Sequence, residues 1–576
     1  MRKKWVLKRI PADYAGLAEE FGLDPVVIRV LVNRGLTTKE GIREFFDSSD
    51  ALFDNAAGLP DLEKALEVIR HFKQDQVPVR IIGDYDIDGV CATGILLKGL
   101  RTYGLNVDSV IPHRVLDGYG MNDSLIRNAY EEGIRGIITC DNGISAKDSV
   151  ELANSLGMEV VVTDHHEIPK ELPDALALVD PKREESTYPH PEICGAYVAY
   201  KVVAQLLSGN FDRELRKELL ILAGFATVGD VMPLSSENRS LVKYALAHIK
   251  EGSNIGLSAL IRQTGLEEKE ITSYSFGFIL GPCINATGRL DSAANALNLI
   301  MSEDEEEAAK LAELLHRMNE ERKDITAKGQ EDAIELIQSE GMNDSVLVIY
   351  LPNVHESIAG IIAGRVKETF YRPSFVFTDT EDGMIKGSGR SIEAYDMFAH
   401  LNECAELFTK FGGHPMAAGI TMPKENLEAM RKFLNEHSGL SEEDRIPTVT
   451  IDADMPLSYV TVKVVEDLAL LEPYGTGNEK PHFARKEVIF TGGRIVGKNK
   501  DVGIYTVKEP GSDRTFTMKL FRGVTEFHNY IDETYGAGSA EGIYNGREVK
   551  LKVAYYPDLN DFRGTVNVEF IMTDYE

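Results

Sequence analysis

The sequence predicts an α/β protein: a domain on a parallel sheet, joined by a long helix to a second α/β domain, with a C-terminal β-barrel of the OB-fold type. Three observations carry that prediction. Apolar β-rich runs alternate with helical patterns from about residue 77 to 240, which implies right-handed crossovers and a mostly parallel sheet. Near Met301 the texture changes to one long amphipathic pattern. From about Thr448, short β-branched runs separated by Gly, Pro and Asn turns take over.

In chain order, 77–83 reads as a strand and 89–103 as a helix. Strands at 136–140, 159–163 and 175–179 follow, with helices at 146–156 and 196–207. Ser302 is placed to cap the long helix, whose acidic first turn, 303–307, suits the positive end of the dipole. Leu311, Leu314, Leu315 and Met318 then form one apolar stripe. A second α/β unit opens with strand 345–350, helix 357–370 and a hairpin over Asp382-Gly383. Strands at 487–490, 503–507, 515–521, 549–555 and 565–570 complete a small barrel. The expected division is 1–50 as an N-terminal extension, 51–300 as the first α/β domain, 301–342 as the helical connector, 343–445 as the second domain and 446–576 as the barrel.

Composition narrows the classes. With 62 basic and 92 acidic residues the net charge is −30, which argues against a nucleic-acid coat or a polybasic membrane binder while leaving local patches open. No apolar run reaches the ~18 residues of a membrane helix, and no signal peptide is visible. The five cysteines are scattered without a CxxC, as in a reduced, cytoplasmic chain. No membrane association is expected, and a monomer is the default.

The acids are the most informative feature. Strand 77–83 runs into Asp84-Tyr85-Asp86-Ile87-Asp88-Gly89; strand 136–140 ends at Asp141-Asn142-Gly143; strand 159–163 ends at Asp164-His165-His166. In an open parallel sheet the ligand crevice lies beyond the strand C-termini, so three strand ends aim carboxylates and imidazoles into one space. Asp230, after an apolar stretch and shortly before Pro233, is expected to face it too. Any one of these sites alone reads as a turn. Together they cannot stay ionised without a counter-charge. Oxygen-rich ligands with imidazole suit Mn²⁺ or Mg²⁺.

A second set suits phosphate. Asn285 and Arg289 lie in Gly281-Pro282-Cys283-Ile284-Asn285-Ala286-Thr287-Gly288-Arg289, read as flexible backbone; Ser388 and Arg390 in Lys386-Gly387-Ser388-Gly389-Arg390-Ser391; Gly413 and His414 in Phe411-Gly412-Gly413-His414. Glycine lets backbone N–H groups approach an anion, and arginine grips phosphate as a fork. Arg114, just beyond an expected strand at 107–111, is a further candidate.

These motifs, in this order, resemble the DHH phosphoesterase superfamily: the parallel-sheet DHH domain over 51–300 and the DHH-associated domain over 343–445. Leu471-Glu472-Pro473-Tyr474-Gly475-Thr476-Gly477-Asn478 and the β-rich tail resemble its RecJ branch in particular. The resemblance implies a metal-dependent exonuclease that hydrolyses single-stranded DNA from the 5′ end to mononucleotides, acting in DNA repair and recombination. It implies two divalent cations, Mn²⁺ or Mg²⁺, on Asp84, Asp86, Asp88, Asp141, His165 and Asp230, with Asp141 bridging and Asp84 assisting. Asp164 is expected to orient His165, and His166 to contact the scissile phosphate or protonate the leaving oxygen. Arg289, Asn285, His414, Gly413 and His355 would hold strand phosphates, while Ser388, Arg390 and Arg114 cap the 5′-terminal phosphate. In the barrel, Tyr505, Phe521, Tyr555 and Phe562 are candidates for base stacking, although each also suits core packing. A helicase and a single-strand-binding protein are the expected partners. Two departures stand out: Ser357 where the family usually has Gly, and Asp117 where Glu is commoner. The alternatives are a DHH phosphodiesterase for short oligonucleotides or cyclic dinucleotides, which generally lacks the barrel and the connector, and a non-catalytic replication scaffold, which lacks an intact acid set.

Overall fold

A computed structural model describes residues 3–47, 52–114, 117–118, 120–380, 383–497, 500–562 and 564–576, with the side chain of Phe562 outside the description. The chain divides into two compact units, one formed by residues 48–447 and the other by 1–47 together with 448–576.

The larger unit carries two sheets. Its first is five-stranded and all parallel, in the order Val107–Val110, Val79–Ile82, Gly136–Cys140, Glu159–Thr163, Ala177–Val179. These strands are buried along nearly their whole length, so they read as continuous apolar runs rather than alternating ones. Helix Ile87–Tyr103 follows the first expected strand directly and is buried on almost every side, packing on helices Gly195–Leu206 and Arg213–Gly229.

The long helix spans Glu305–Ser339. Its N-cap is Asp304, whose carboxylate accepts the Glu307 N–H at 2.8 Å, rather than Ser302; the Ser302 hydroxyl instead donates to the Asp304 carbonyl oxygen. The second sheet is mixed, in the order Lys410–His414, Ala417–Met422, Ile385–Arg390, Ser374–Asp379, Leu347–Tyr350, with only the last pair parallel. Strands Ser374–Asp379 and Ile385–Arg390 pair antiparallel as the hairpin signal implies, though Asp382 itself lies outside the described residues. Helix Glu356–Phe370 covers this sheet.

The smaller unit is the barrel. Strands Phe483–Val496, Val502–Lys508, Thr515–Leu520, Thr565–Tyr575 and Val549–Phe562 follow one another, and the last pairs back onto the first to close the sheet. The N-terminal segment belongs to this unit: strand Lys4–Leu7 pairs in parallel with Thr448–Ile451, and Val27, Ile28 and Leu31 are buried in the barrel's core cluster. Tyr505 and Tyr555 are core residues, packed against Phe490 and Phe570 respectively, which removes them as stacking surfaces. Phe521 is exposed. No helix among the described residues is long and apolar enough to cross a membrane, and all five cysteines are buried free thiols.

Candidate metal centre

The acids converge as the strand ends do. Asp86 caps helix Ile87–Tyr103, its Oδ1 accepting the N–H groups of Asp88 (2.9 Å) and Gly89 (3.1 Å). Gly89 is required by a close approach: a Cβ there would lie 2.5 Å from the Asp84 carbonyl oxygen. Asp88, fully buried, accepts from the Gly195 N–H at 2.6 Å and the Ala196 N–H at 2.8 Å, so the start of helix Gly195–Leu206 holds both its oxygens. Asp141 sits at φ 60°, a left-handed conformation that Asp tolerates better than most residues. Asn142 ties two strand ends together, donating to the carbonyl oxygens of Ile82 (3.0 Å) and Cys140 (2.8 Å). Asp230 ends helix Arg213–Gly229.

His165 Nε2 is the hub. It lies 3.1 Å from Asp141 Oδ1, 3.5 Å from Asp88 Oδ2 and 3.6 Å from Asp230 Oδ2. Asp84, Asp86 and Asp141 form one trio whose oxygens lie within 4.8 Å of one another; Asp88, His165 and Asp230 form a second, and Asp141 with His165 and His166 a third. Asp141 and His165 thus belong to overlapping sets.

Burial, and then the neighbouring carboxylates, push Asp84 and Asp141 well above the usual carboxylate range and Asp230 up to about 9. Burial pulls His165 down, leaving a neutral imidazole. Asp84 Oδ1, Asp230 Oδ2 and His165 Nδ1 are buried without a hydrogen-bond partner. Crowded carboxylates, with Asp84 Oδ1 and Asp230 Oδ2 lacking donors, beside a neutral imidazole and with no thiol in the trios, fit two hard divalent cations such as Mn²⁺ or Mg²⁺.

Asp164 does not orient the ring of His165. Its Oδ1 lies 2.7 Å from His166 Nδ1 and accepts the His165 backbone N–H at 2.8 Å, while its Oδ2 accepts the Ile144 N–H at 2.9 Å. The imidazole that Asp164 meets is therefore that of His166. Burial opposes the charge on His166, but the Asp164 hydrogen bond and the surrounding acids win, and its pKa rises to about 9.

Facing the acids is a group of guanidiniums. Arg114 stacks over Tyr85 at 4.7 Å, in a turn that Asp117 closes by accepting the His113 N–H at 2.8 Å. Arg289 is pulled down to about 10 by burial and then by Arg114, Arg322 and Arg390. Its guanidinium donates to the Ser357 carbonyl oxygen. Ser388 and Arg390 lie on a regular strand, where Gly387 and Gly389 make room for the rings of Phe377 and Phe375 rather than for an anion. The Asn285–Arg289 segment is likewise ordered helix, Gly281–Leu290, and Asn285 Oδ1 accepts the Ile87 N–H at 2.7 Å. His355 caps helix Glu356–Phe370 and touches the Ser357 hydroxyl at 2.6 Å. Gly413 admits the Ala417 carbonyl oxygen, and His414 is exposed in the same hairpin. Glu167 is held low chiefly by Lys182, with a smaller contribution from His414.

Two features escaped the sequence reading. Asp180 follows strand Ala177–Val179, is fully buried and has its pKa raised to about 7, chiefly by burial. The strand-then-Asp pattern of Val179-Asp180 was its signal. Gly195, where a Cβ would lie 2.7 Å from the Asp141 Cβ, carried no local signal beyond small residues at a helix start.

Family models match in three places: the DHH family N-terminal domain over residues 78–227, the DHHA1 domain over 343–438 and the RecJ OB domain over 451–574. The single-stranded-DNA-specific exonuclease RecJ of Escherichia coli (strain K12) is 32% identical over 537 residues, covering 89% of this chain and 90% of that protein. This chain belongs to the RecJ family. The RecJ of Bacillus subtilis (strain 168) is 36% identical over 515 residues, or 89% of this chain, which spans 65% of that relative's length. The crystal structure of RecJ from Thermus thermophilus in complex with Mn²⁺ superposes with a TM-score of 0.81 at 25% identity, over 100% of this chain and 79% of that one. The likeness to that fold runs along the whole of this chain.

Proposed function

We propose that the chain is a metal-dependent exonuclease that hydrolyses single-stranded DNA from the 5′ end to mononucleotides, in DNA repair and recombination. One observation carries the reading: overlapping ligand sets that share Asp141 and His165, in which Asp84 Oδ1 and Asp230 Oδ2 are buried without a hydrogen-bond donor. Its RecJ relatives, named as single-stranded-DNA-specific exonucleases and one of them crystallised with Mn²⁺, support the substrate and the metal.

Asp84, Asp86 and Asp141 would hold one cation, and Asp141, Asp88, His165 and Asp230 the other. Such cations supply the charge that activates an attacking water and stabilises the departing oxygen. The chain's own residues do the rest. His166, fixed by Asp164, is placed to bind the scissile phosphate or give a proton to the leaving oxygen. Arg289, with Asn285, His355 and His414, holds the phosphates of the strand. Arg114, Ser388 and Arg390 receive the 5′-terminal phosphate, which sets polarity. The protein acts as a cytoplasmic monomer, with single-stranded DNA delivered by a helicase and a single-strand-binding protein.

The test follows single-stranded DNA labelled separately at each end, with Mn²⁺, beside Asp141→Ala. Early release of labelled mononucleotide from the 5′ end, lost in the variant, is expected. Survival of long strands with cleavage of dinucleotides or cyclic dinucleotides would move the chain to the short-substrate branch of the superfamily.

A further inference from the structure

The two most exposed aromatic side chains among the described residues are neighbours. Phe278 is 66% exposed and Tyr274 58%, and their rings stack at 4.9 Å between centroids with 20° between planes. They stand one turn apart on a segment with a π-helical turn, Phe276–Leu280, a local distortion frequent at functional sites.

That segment is fixed to the acid crevice. Phe276 is buried edge-on against Phe225, on the helix that ends at Asp230. Gly277 is close enough to that helix for a Cβ to lie 3.5 Å from Val228, two residues before Asp230. The π-helical turn runs directly into Gly281–Leu290, which carries Asn285 and Arg289. Immediately after Asp230 comes Val231, 66% exposed and held at φ 61°, a conformation that strains a β-branched residue. Phe276 on this segment is buried, while Tyr274, Phe278 and Val231 are left in water.

We propose that Tyr274 and Phe278, with Val231, form a stacking platform for bases of the DNA strand at the edge of the acid crevice; the proposal rests on the exonuclease reading above. Bases are the occupant that fits. An open π-face takes any base, which suits sequence-independent binding, and the segment that carries the rings continues into the helix of Asn285 and Arg289, assigned above to the strand's phosphates. Pre-stacked rings are already oriented, so little rotamer freedom is lost when a base settles on them.

The test measures KM and kcat on 5′-phosphorylated oligo(dT) of increasing length with Mn²⁺, for the wild type, Tyr274→Ala/Phe278→Ala and Phe278→Trp. For the wild type, KM should drop in a step at the length that reaches the platform. The double variant should match the wild type on the shortest strands but lose the step, with KM about five- to a hundredfold higher on long ones. Phe278→Trp should keep it. An abasic residue at the step position should raise the wild-type KM and leave the double variant unchanged. Parallel length profiles, or equal abasic effects in both proteins, would overturn the platform and leave the exonuclease reading intact. Failure of the wild type to cut DNA of any length removes the exonuclease reading and the platform with it; the arm that fails tells the two cases apart.

Discussion

The hydroxyl of Ser357 donates to the Arg289 carbonyl oxygen at 2.8 Å, and the Arg289 guanidinium donates back to the Ser357 carbonyl oxygen at 2.7 Å. This reciprocal pair joins helix Gly281–Leu290, beside the acids, to helix Glu356–Phe370, over the second sheet. A glycine at 357 would keep the backbone acceptor and lose the hydroxyl. Ser357→Gly should cost about 1 kcal/mol for the hydroxyl bond, plus about 1 kcal/mol for glycine near a helix start. Ser357→Ala isolates the first. Both should lower the thermal midpoint and raise KM for single-stranded DNA several-fold with kcat nearly unchanged. Equal midpoints in Ser357→Ala and the wild type would show that the hydroxyl adds nothing.

The raised carboxylates make the metal-free protein sensitive to alkali. Asp230 titrates at about 9 in the fold, against an ordinary value of 3.8, because of burial and its neighbours Asp88 and Asp86. Between those values the native state binds more protons than the unfolded chain, so stability falls as pH rises. The contribution is whole below the ordinary value and is lost as pH climbs through the folded one. With EDTA, the thermal midpoint should decline from about pH 5 to about pH 9. Mn²⁺ displaces the same protons, so the increment it adds should grow with pH. A Mn²⁺ increment independent of pH would contradict these carboxylates as ligands.

Gly195→Ala should impair the site without replacing a ligand. The new methyl would lie 2.7 Å from the Asp141 Cβ and 2.9 Å from its Cα, so either the strand end or the helix start must shift. The strain amounts to about 1–3 kcal/mol. A displacement of about 1 Å at Asp141 should lower kcat about a hundredfold. Mn²⁺ titration by calorimetry should show weakened binding in a folded protein; wild-type affinity would mean that the site relaxes around the methyl.

The Asp164–His166 pair is accessible to NMR in the metal-free protein. His166 should titrate at about 9. In Asp164→Asn, burial meets less opposition, and the value should fall back toward 6.5. The His165 ring, which Asp164 reaches by its charge and not by a hydrogen bond, should respond less than His166.

What could be read from the sequence was whatever is local. A buried parallel strand is a short apolar run, and an acid just after it lies at the crevice by topology alone, so Asp84, Asp141 and Asp164 were legible. The ring that Asp164 serves was not, because one carboxylate serves two adjacent residues and only geometry decides. The glycines of Ile385–Arg390 look like an anion loop in sequence, yet they accommodate phenylalanines ten or more residues away. The backbone donors to Asp88 lie more than 100 residues downstream, beyond any spacing rule. Likewise, nothing in residues 1–47 announces that their core partners lie beyond residue 447.

That pairing imposes an order on synthesis. Strand Lys4–Leu7 is made first, but its partner Thr448–Ile451 leaves the ribosome about 440 residues later. At about 5–20 residues per second the wait is roughly 20–90 s. During that time Val27, Ile28 and Leu31 lack the barrel part of the core they bury into, while residues 48–447 are made together with the rest of their own unit. The nascent chain therefore completes its acid-bearing unit in the presence of an unfinished N-terminal segment, and that interval is when it most needs a chaperone.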